Sequence, residues 1–137
     1  MIRFFLVLLI ALHLGACSNH EAPLTISDAA VSRPKPGMQM TAGYFTLTNH
    51  TPQEIVITEV RSPQFGSVQM HETVIDDGIA RMVELDDLVL RAGSTVVFQP
   101  GGKHLMLMQA VESPDNVTLD FFAGDSIVLS VNVKVTD

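Results

Sequence analysis

The sequence has no tryptophan, one tyrosine and one cysteine in 137 residues, and its eight lysines and arginines are outnumbered by fifteen aspartates and glutamates. A lone cysteine cannot close an intrachain disulfide and cannot build the cysteine-rich shell of structural zinc; a blue-copper centre needs one thiolate, which the acylation of Cys17 expected below would remove. The net charge of −7 argues against a surface that tracks nucleic-acid phosphates, and equally against an electrostatic grip on anionic lipid. It suits a cationic cargo or a basic partner, although most such charges only keep a domain soluble. Catalytic signatures are missing as well. Gly101-Gly102-Lys103-His104 lacks the spacing and the Ser/Thr of a phosphate loop, the doublets Asp76-Asp77 and Asp86-Asp87 lack the alternation of a calcium loop, and no serine sits in a nucleophile elbow. The expectation is a protein that is not an enzyme.

Long apolar runs are also scarce. The run FFLVLLIAL at 4–12, after Arg3 and before the small residues Gly15 and Ala16, is about half the length needed to span a bilayer. It reads as a secretory signal. Leu14-Gly15-Ala16-Cys17 resembles a bacterial lipobox, in which the cysteine is acylated and becomes the first residue of the mature chain. Residues 1–16 are therefore expected to be a lipoprotein signal peptide, and 17–23 a tether lipidated at Cys17. Residues 24–137 are expected to form one domain in the periplasm, held to a membrane only through the lipid. Loss of residues 1–16 removes Arg3 and no acid, leaving 121 residues and a net charge of −8.

From Leu24 onward, β-branched and aromatic residues alternate with polar ones in short runs between turn residues. Strands are expected near 24–31, 43–49, 55–62, 67–73, 79–85, 95–99, 105–110, 117–122 and 127–135. About nine short strands without a convincing helix imply an all-β, Greek-key sandwich or barrel. Turn chemistry marks the joints: Pro34-Lys35-Pro36-Gly37, Asn49-His50-Thr51-Pro52, Asp76-Asp77-Gly78 as a hairpin, and Pro100-Gly101-Gly102. Met38-Gln39-Met40 is a possible extra source of thioethers, but the stretch is expected on a flexible loop, its methionines packing on the barrel end.

The stretch 71–108 holds the chemistry. Ten residues separate His71 from Met82, twenty-one separate Met82 from His104, and one separates His104 from Met106. Two imidazoles and two thioethers make a soft, uncharged donor set that suits Cu(I) better than a hard cation or zinc. Taken singly, each residue is more often structural, since methionine fills cores and a lone histidine is usually a satisfied one. On a strand, however, His104, Met106 and Met108 share one face while Leu105 and Leu107 share the other, so the leucines can fill the core. Met70 and His71 likewise point apart, and His71 is the better donor. The Asp76-Asp77-Gly78 turn can bring Met82 back beside His71. Spacing alone does not bring either of them to His104.

Met70-His71-Glu72, Met82 and His104-x-Met106 at these spacings resemble the signature of the PCuAC family of periplasmic copper chaperones. Gly43-Tyr44-Phe45-Thr46-Leu47-Thr48-Asn49 and Pro100-Gly101-Gly102-Lys103-His104-Leu105-Met106-Leu107-Met108 resemble that family's flanking runs. The similarity covers about residues 24–135. The resemblance implies a cupredoxin-like barrel that binds one Cu(I) through His71, Met82, His104 and Met106 and hands it by ligand exchange to an acceptor. Such an acceptor would be the CuA subunit of cytochrome oxidase or a Sco-type chaperone. A monomer that binds no nucleic acid is expected. Two departures stand out: Asp28-Ala29-Ala30-Val31-Ser32-Arg33 has no aromatic residue before the arginine, and the chain ends at Asp137 without a His- and Met-rich tail. The competing reading is a structural or interaction lipoprotein with core methionines and incidental histidines. A copper redox enzyme is disfavoured by the missing thiolate.

Overall fold

The structure is a computed structural model that describes residues 22–111 and 114–137. The expected signal peptide at 1–16, Cys17 and most of the expected tether lie outside the described residues. Among the described residues there are eleven strands and no helix: β1 (Leu24–Ser32), β2 (Met40–Asn49), β3 (Ile55–Ile57), β4 (Glu59–Arg61), β5 (Phe65–Asp76), β6 (Ile79–Glu84), β7 (Leu88–Leu90), β8 (Thr95–Phe98), β9 (Lys103–Ala110), β10 (Asn116–Ala123) and β11 (Ser126–Thr136). Nine of them form one sheet in the order β4-β10-β11-β1-β2-β8-β9-β5-β6, while β3 and β7 pair separately. The sheet curls far enough for β4 to lie against β5. The all-β architecture is the expected one, and the count of eleven differs from nine for two local reasons.

The expected strand 55–62 is divided at Thr58. Ahead of it β3 pairs with β7, and behind it β4 pairs with β10. Thr58 makes the transfer, because its N–H donates to Phe122 O at 2.8 Å and its Oγ1 accepts from Gly124 N at 3.0 Å. The second addition is β7, a three-residue strand whose Leu88 and Leu90 are buried against the core.

Period-two alternation then does the folding work. Along β2, Gly43, Phe45 and Leu47 point inward while Ala42, Tyr44 and Thr46 are only half-buried. Phe45 stacks on Phe98 at 4.3 Å and meets Phe121 edge-on at 5.6 Å, within the range that favours aromatic pairs. With Leu47, Leu105, Leu107, Val117 and Leu119 these rings form one dry core. Gly43 is required by closeness: a Cβ there would lie 3.3 Å from Leu107 Cδ1, and 3.5 Å from both Leu105 and Val31. The close approach presses β2 onto β9.

One expectation needs correction. Met40 opens β2, directly opposite Met108 of β9, and is not a loop residue. Asn49 ends β2 and opens the turn after it, as expected, and its side chain is fully buried. It donates from Nδ2 to Gln53 O, Leu90 O and Arg91 O at 2.8–3.2 Å and accepts at Oδ1 from Thr51 N and Thr51 Oγ1. It ties the turn after β2 to the loop after β7.

Candidate metal centre

Pairing of β5 with β9 sets the centre. The two strands run antiparallel with His71 directly opposite His104, Gln69 opposite Met106 and Met70 opposite Leu105. Since residues in register share a face, His71, His104 and Met106 lie together, while Met70, Leu105 and Leu107 are buried in the core behind them. Met70 is thereby a core residue, as its parity implied.

The hairpin supplies the fourth residue. Asp76 is in register with Ile79, so Asp77-Gly78 is a two-residue loop, and both have positive φ, at 48° and 78°. This is the geometry of the turn whose twist matches antiparallel strands, and the Asp-Gly dipeptide tolerates it. Thr73 then faces Met82, which places Met82 on the His71 side, one diagonal step away. Every residue of β6 is exposed, and Met82 is 61% exposed. All four candidate donors share one face of β6-β5-β9, with Met82 on its outer rim.

A cleft of about 360 Å³ opens on this face, and Met40, Tyr44, Thr73, Met82, His104 and Met106 are among the residues that line it. His71 is not part of its wall. Its ring stands nearly perpendicular to that of His104, with centroids 5.7 Å apart. The two rings have different hydrogen-bond situations. His104 is nearly buried, and its Nδ1 lies 3.1 Å from Gly102 O. A carbonyl only accepts, so this nitrogen carries the proton and the Nε2 lone pair is left for another partner. Gly102 O also accepts from Thr73 N at 3.1 Å, so one carbonyl braces β5 and orients the imidazole. Nδ1 of His71 is buried with no hydrogen-bond partner at all. An unpartnered buried polar atom typically costs about 1–3 kcal/mol, and a ring nitrogen left without a partner beside a second imidazole fits a metal donor.

The surroundings fit a soft, singly charged ion. No three His, Cys, Asp or Glu side chains converge among the described residues, so a hard-donor cage is not formed there. His50, the other described histidine, is hydrogen-bonded to Thr25 at 2.7 Å, in the turn after β2. Glu72 and Lys103, neighbours of the two histidines in sequence, face each other in register and pair at 2.6 Å. They tie β5 to β9 at the level of the imidazoles.

Residues 24–135 match the LpqE-like lipoprotein family. The chain belongs to that family. RP573, an uncharacterized protein of Rickettsia prowazekii (strain Madrid E), is 30% identical over 142 residues, which span 93% of this chain and 78% of that protein. Among solved structures, that of CuI-DR1885 from Deinococcus radiodurans aligns with a TM-score of 0.62 at 28% identity, over 92% of this chain and 85% of the other. The copper-bound PCuAC domain from PmoF2 aligns with the same TM-score at 22% identity, over 83% of this chain and 91% of that domain. The resemblance to PCuAC proteins and the cupredoxin-like fold it implied are borne out.

The four residues singled out in the sequence come together on one face. Sequence reasoning missed Tyr44 and Thr73 in the cleft wall and Glu84, which stands opposite His71 in register on β6; Met40, noted as a possible thioether source, lines the cleft from β2 and not from a loop. Alternation along β2 and β6 carried that information. Which strands lie beside β9 and β5 did not show in it.

Proposed function

We propose that this protein is a periplasmic Cu(I) metallochaperone that binds one ion through His71, Met82, His104 and Met106 and passes it on by ligand exchange. The observation that carries this reading is the cross-strand pair His71–His104, one ring oriented by Gly102 O and the other with an unpartnered buried Nδ1, on the face that also holds Met82 and Met106. Imidazole and thioether are soft and neutral, a set that selects Cu(I) over Cu(II), which prefers tetragonal nitrogen and oxygen. With no anionic donor in the set, the ion keeps its charge and is held moderately. A thiolate-bearing acceptor can then draw it away. By its PCuAC resemblance, that acceptor is a CuA subunit of cytochrome oxidase or a Sco-type chaperone.

Residues 1–16 would serve as the signal peptide, with Cys17 the lipidated first residue, 17–23 the tether and 24–137 the copper-binding domain. The anchor would confine the carrier to one membrane surface. Reconstitution with Cu(I) under reductant tests the reading: one equivalent is expected in the native chain, and substantially less in a His104→Ala/Met106→Leu variant. Equal copper in both would sink it and leave a structural lipoprotein.

A further inference from the structure

We propose that Met40, which lines the same cleft, and Met108, directly opposite it on β9, form a second, weaker Cu(I) station through which the ion reaches and leaves the four-donor site; its role as a way station rests on the function proposed above. Met40 is directly opposite Met108 across β2 and β9, and Ala42 is opposite Met106. Residues in register share a face with Cβ atoms about 4.5–5.5 Å apart, so Met40, Met106 and Met108 lie on the face that carries His104. Each methionine has three rotatable bonds beyond Cα, which lets the sulfurs of Met40 and Met108 converge on one ion.

The neighbours leave room for that ion. On the other side of Met108 stands Ser67, and beside Met106 on β2 stands Ala42, both small. Met40 is 46% exposed and lines the cleft along with Met82, His104 and Met106. Core packing does not explain it, because the inward positions of these strands are held by Gly43, Leu105 and Leu107. The pairing ends just beyond: Gln109 turns into the left-handed region at φ 57°, and Ala110 N donates to Gln39 O at 3.2 Å. This closure holds the Met40–Met108 register at the mouth of the row.

Cu(I) accepts as few as two soft donors, so a thioether pair suffices for brief residence, and Met106 then leads inward to His104. Two thioethers against the four donors of the inner site make the outer station the weaker, and an ion already held at the inner site lowers the affinity for the second further. Traffic therefore runs between Met40–Met108 and the imidazoles, with Met106 belonging to both.

The test uses Ag(I), a soft surrogate that does not change oxidation state, added to protein labelled with ¹³C at the methionine ε-methyls. The first equivalent is expected to move the Met82 and Met106 signals, and a second, weaker one the Met40 and Met108 signals. A Met40→Leu/Met108→Leu variant should keep the first event and lose the second, while Met38→Leu keeps both. Methyl signals of Met40 and Met108 that stay in place beyond two equivalents, or a second event that persists in the double variant, would overturn the proposal. If the first equivalent moves neither Met82 nor Met106, the four-donor reading fails instead, and the outer pair is still judged on its own shifts.

Discussion

Adjacent positions on β9 should answer to different measurements. Leu107 is fully buried in the core, whereas Met106 is half-buried on the opposite face, in the wall of the cleft. Leu107→Ala removes a packed side chain whose surroundings include Gly43 pressed against it. Such truncations cost about 2–5 kcal/mol, and ~3 kcal/mol is expected here because the rigid sheet leaves little room to collapse. With unfolding entropy near 2.1 cal/mol/K per residue, a domain of this size loses about 4 °C per kcal/mol, so the melting temperature should fall by about 12 °C. Met106→Leu conserves volume and should cost less than about 1.5 kcal/mol. For Cu(I) the order reverses. Groups that merely support a metal ligand are worth about 10- to 100-fold in affinity, and loss of a ligand itself should exceed that range for Met106→Leu. Leu107→Ala, assayed well below its melting point, should bind within a few-fold of the native protein. Thermal denaturation and competition against a Cu(I) chelator, run on both variants, give the four values needed. Loss of copper in Leu107→Ala without loss of stability would refute the assignment of faces, as would a large loss of stability in Met106→Leu with affinity unchanged.

Three further outcomes follow from individual contacts. In the copper-free protein, long-range ¹H–¹⁵N spectra should find the proton of neutral His104 on Nδ1, held there by Gly102 O; the Nε2–H tautomer would show that this carbonyl does not orient the ring. Asn49→Asp keeps the shape but turns an acceptor, and a charge, towards Gln53 O, Leu90 O and Arg91 O. It should destabilise by at least about 3 kcal/mol in urea unfolding with Cu(I) affinity unchanged once folded, and a loss under about 1 kcal/mol would mean that the network is dispensable. The hydrogen bonds from Arg61 hold the Glu59 carboxyl below its ordinary range, at 2.6 Å and 2.8 Å. A depressed folded-state value contributes stability above the unfolded value and loses it as pH falls through the folded one. The pair is exposed, so the contribution is small, and the melting-temperature gap between native protein and Glu59→Gln should close on acidification. A gap that widens on acidification would reverse the sign.

What was legible beforehand was whatever depends on parity and on short turns. The alternation His104-Leu105-Met106-Leu107 divided donors from core correctly, and Asp76-Asp77-Gly78 returned Met82 to the His71 side because a two-residue loop leaves only one register. The partnership of His71 with His104 was beyond reach. It depends on β5 and β9 becoming neighbours across thirty-two intervening residues, a long-range choice made by the whole core. Met40 was misplaced for a related reason: nothing in Pro34 to Met40 announces where β2 begins, since its first rung is defined by Met108 sixty-eight positions later. Thr58 and β7 escaped because a strand that changes partners mid-run looks continuous in its hydrophobic pattern. Asn49 has the composition of a turn, and its burial came from two loops meeting.

The proposed donors also sit on elements of unequal stability, and that inequality bears on transport. His71, His104 and Met106 belong to β5 and β9, whose seven-pair register is backed by the core through Met70, Leu105 and Leu107. Met82 belongs to β6, an edge strand exposed at every residue and paired on one side only. Segments with few buried contacts open at much lower free energy than core strands. In such a site the two imidazoles and Met106 stay in place while Met82 comes and goes, so a coordination position is vacated without unfolding the domain. An incoming thiolate can take that position before any imidazole has to leave. Under the proposed function, exchange would then proceed through shared coordination rather than release of free copper. The anionic character of the chain adds to this, because the ion's positive charge favours its residence near the protein until a stronger donor is in reach.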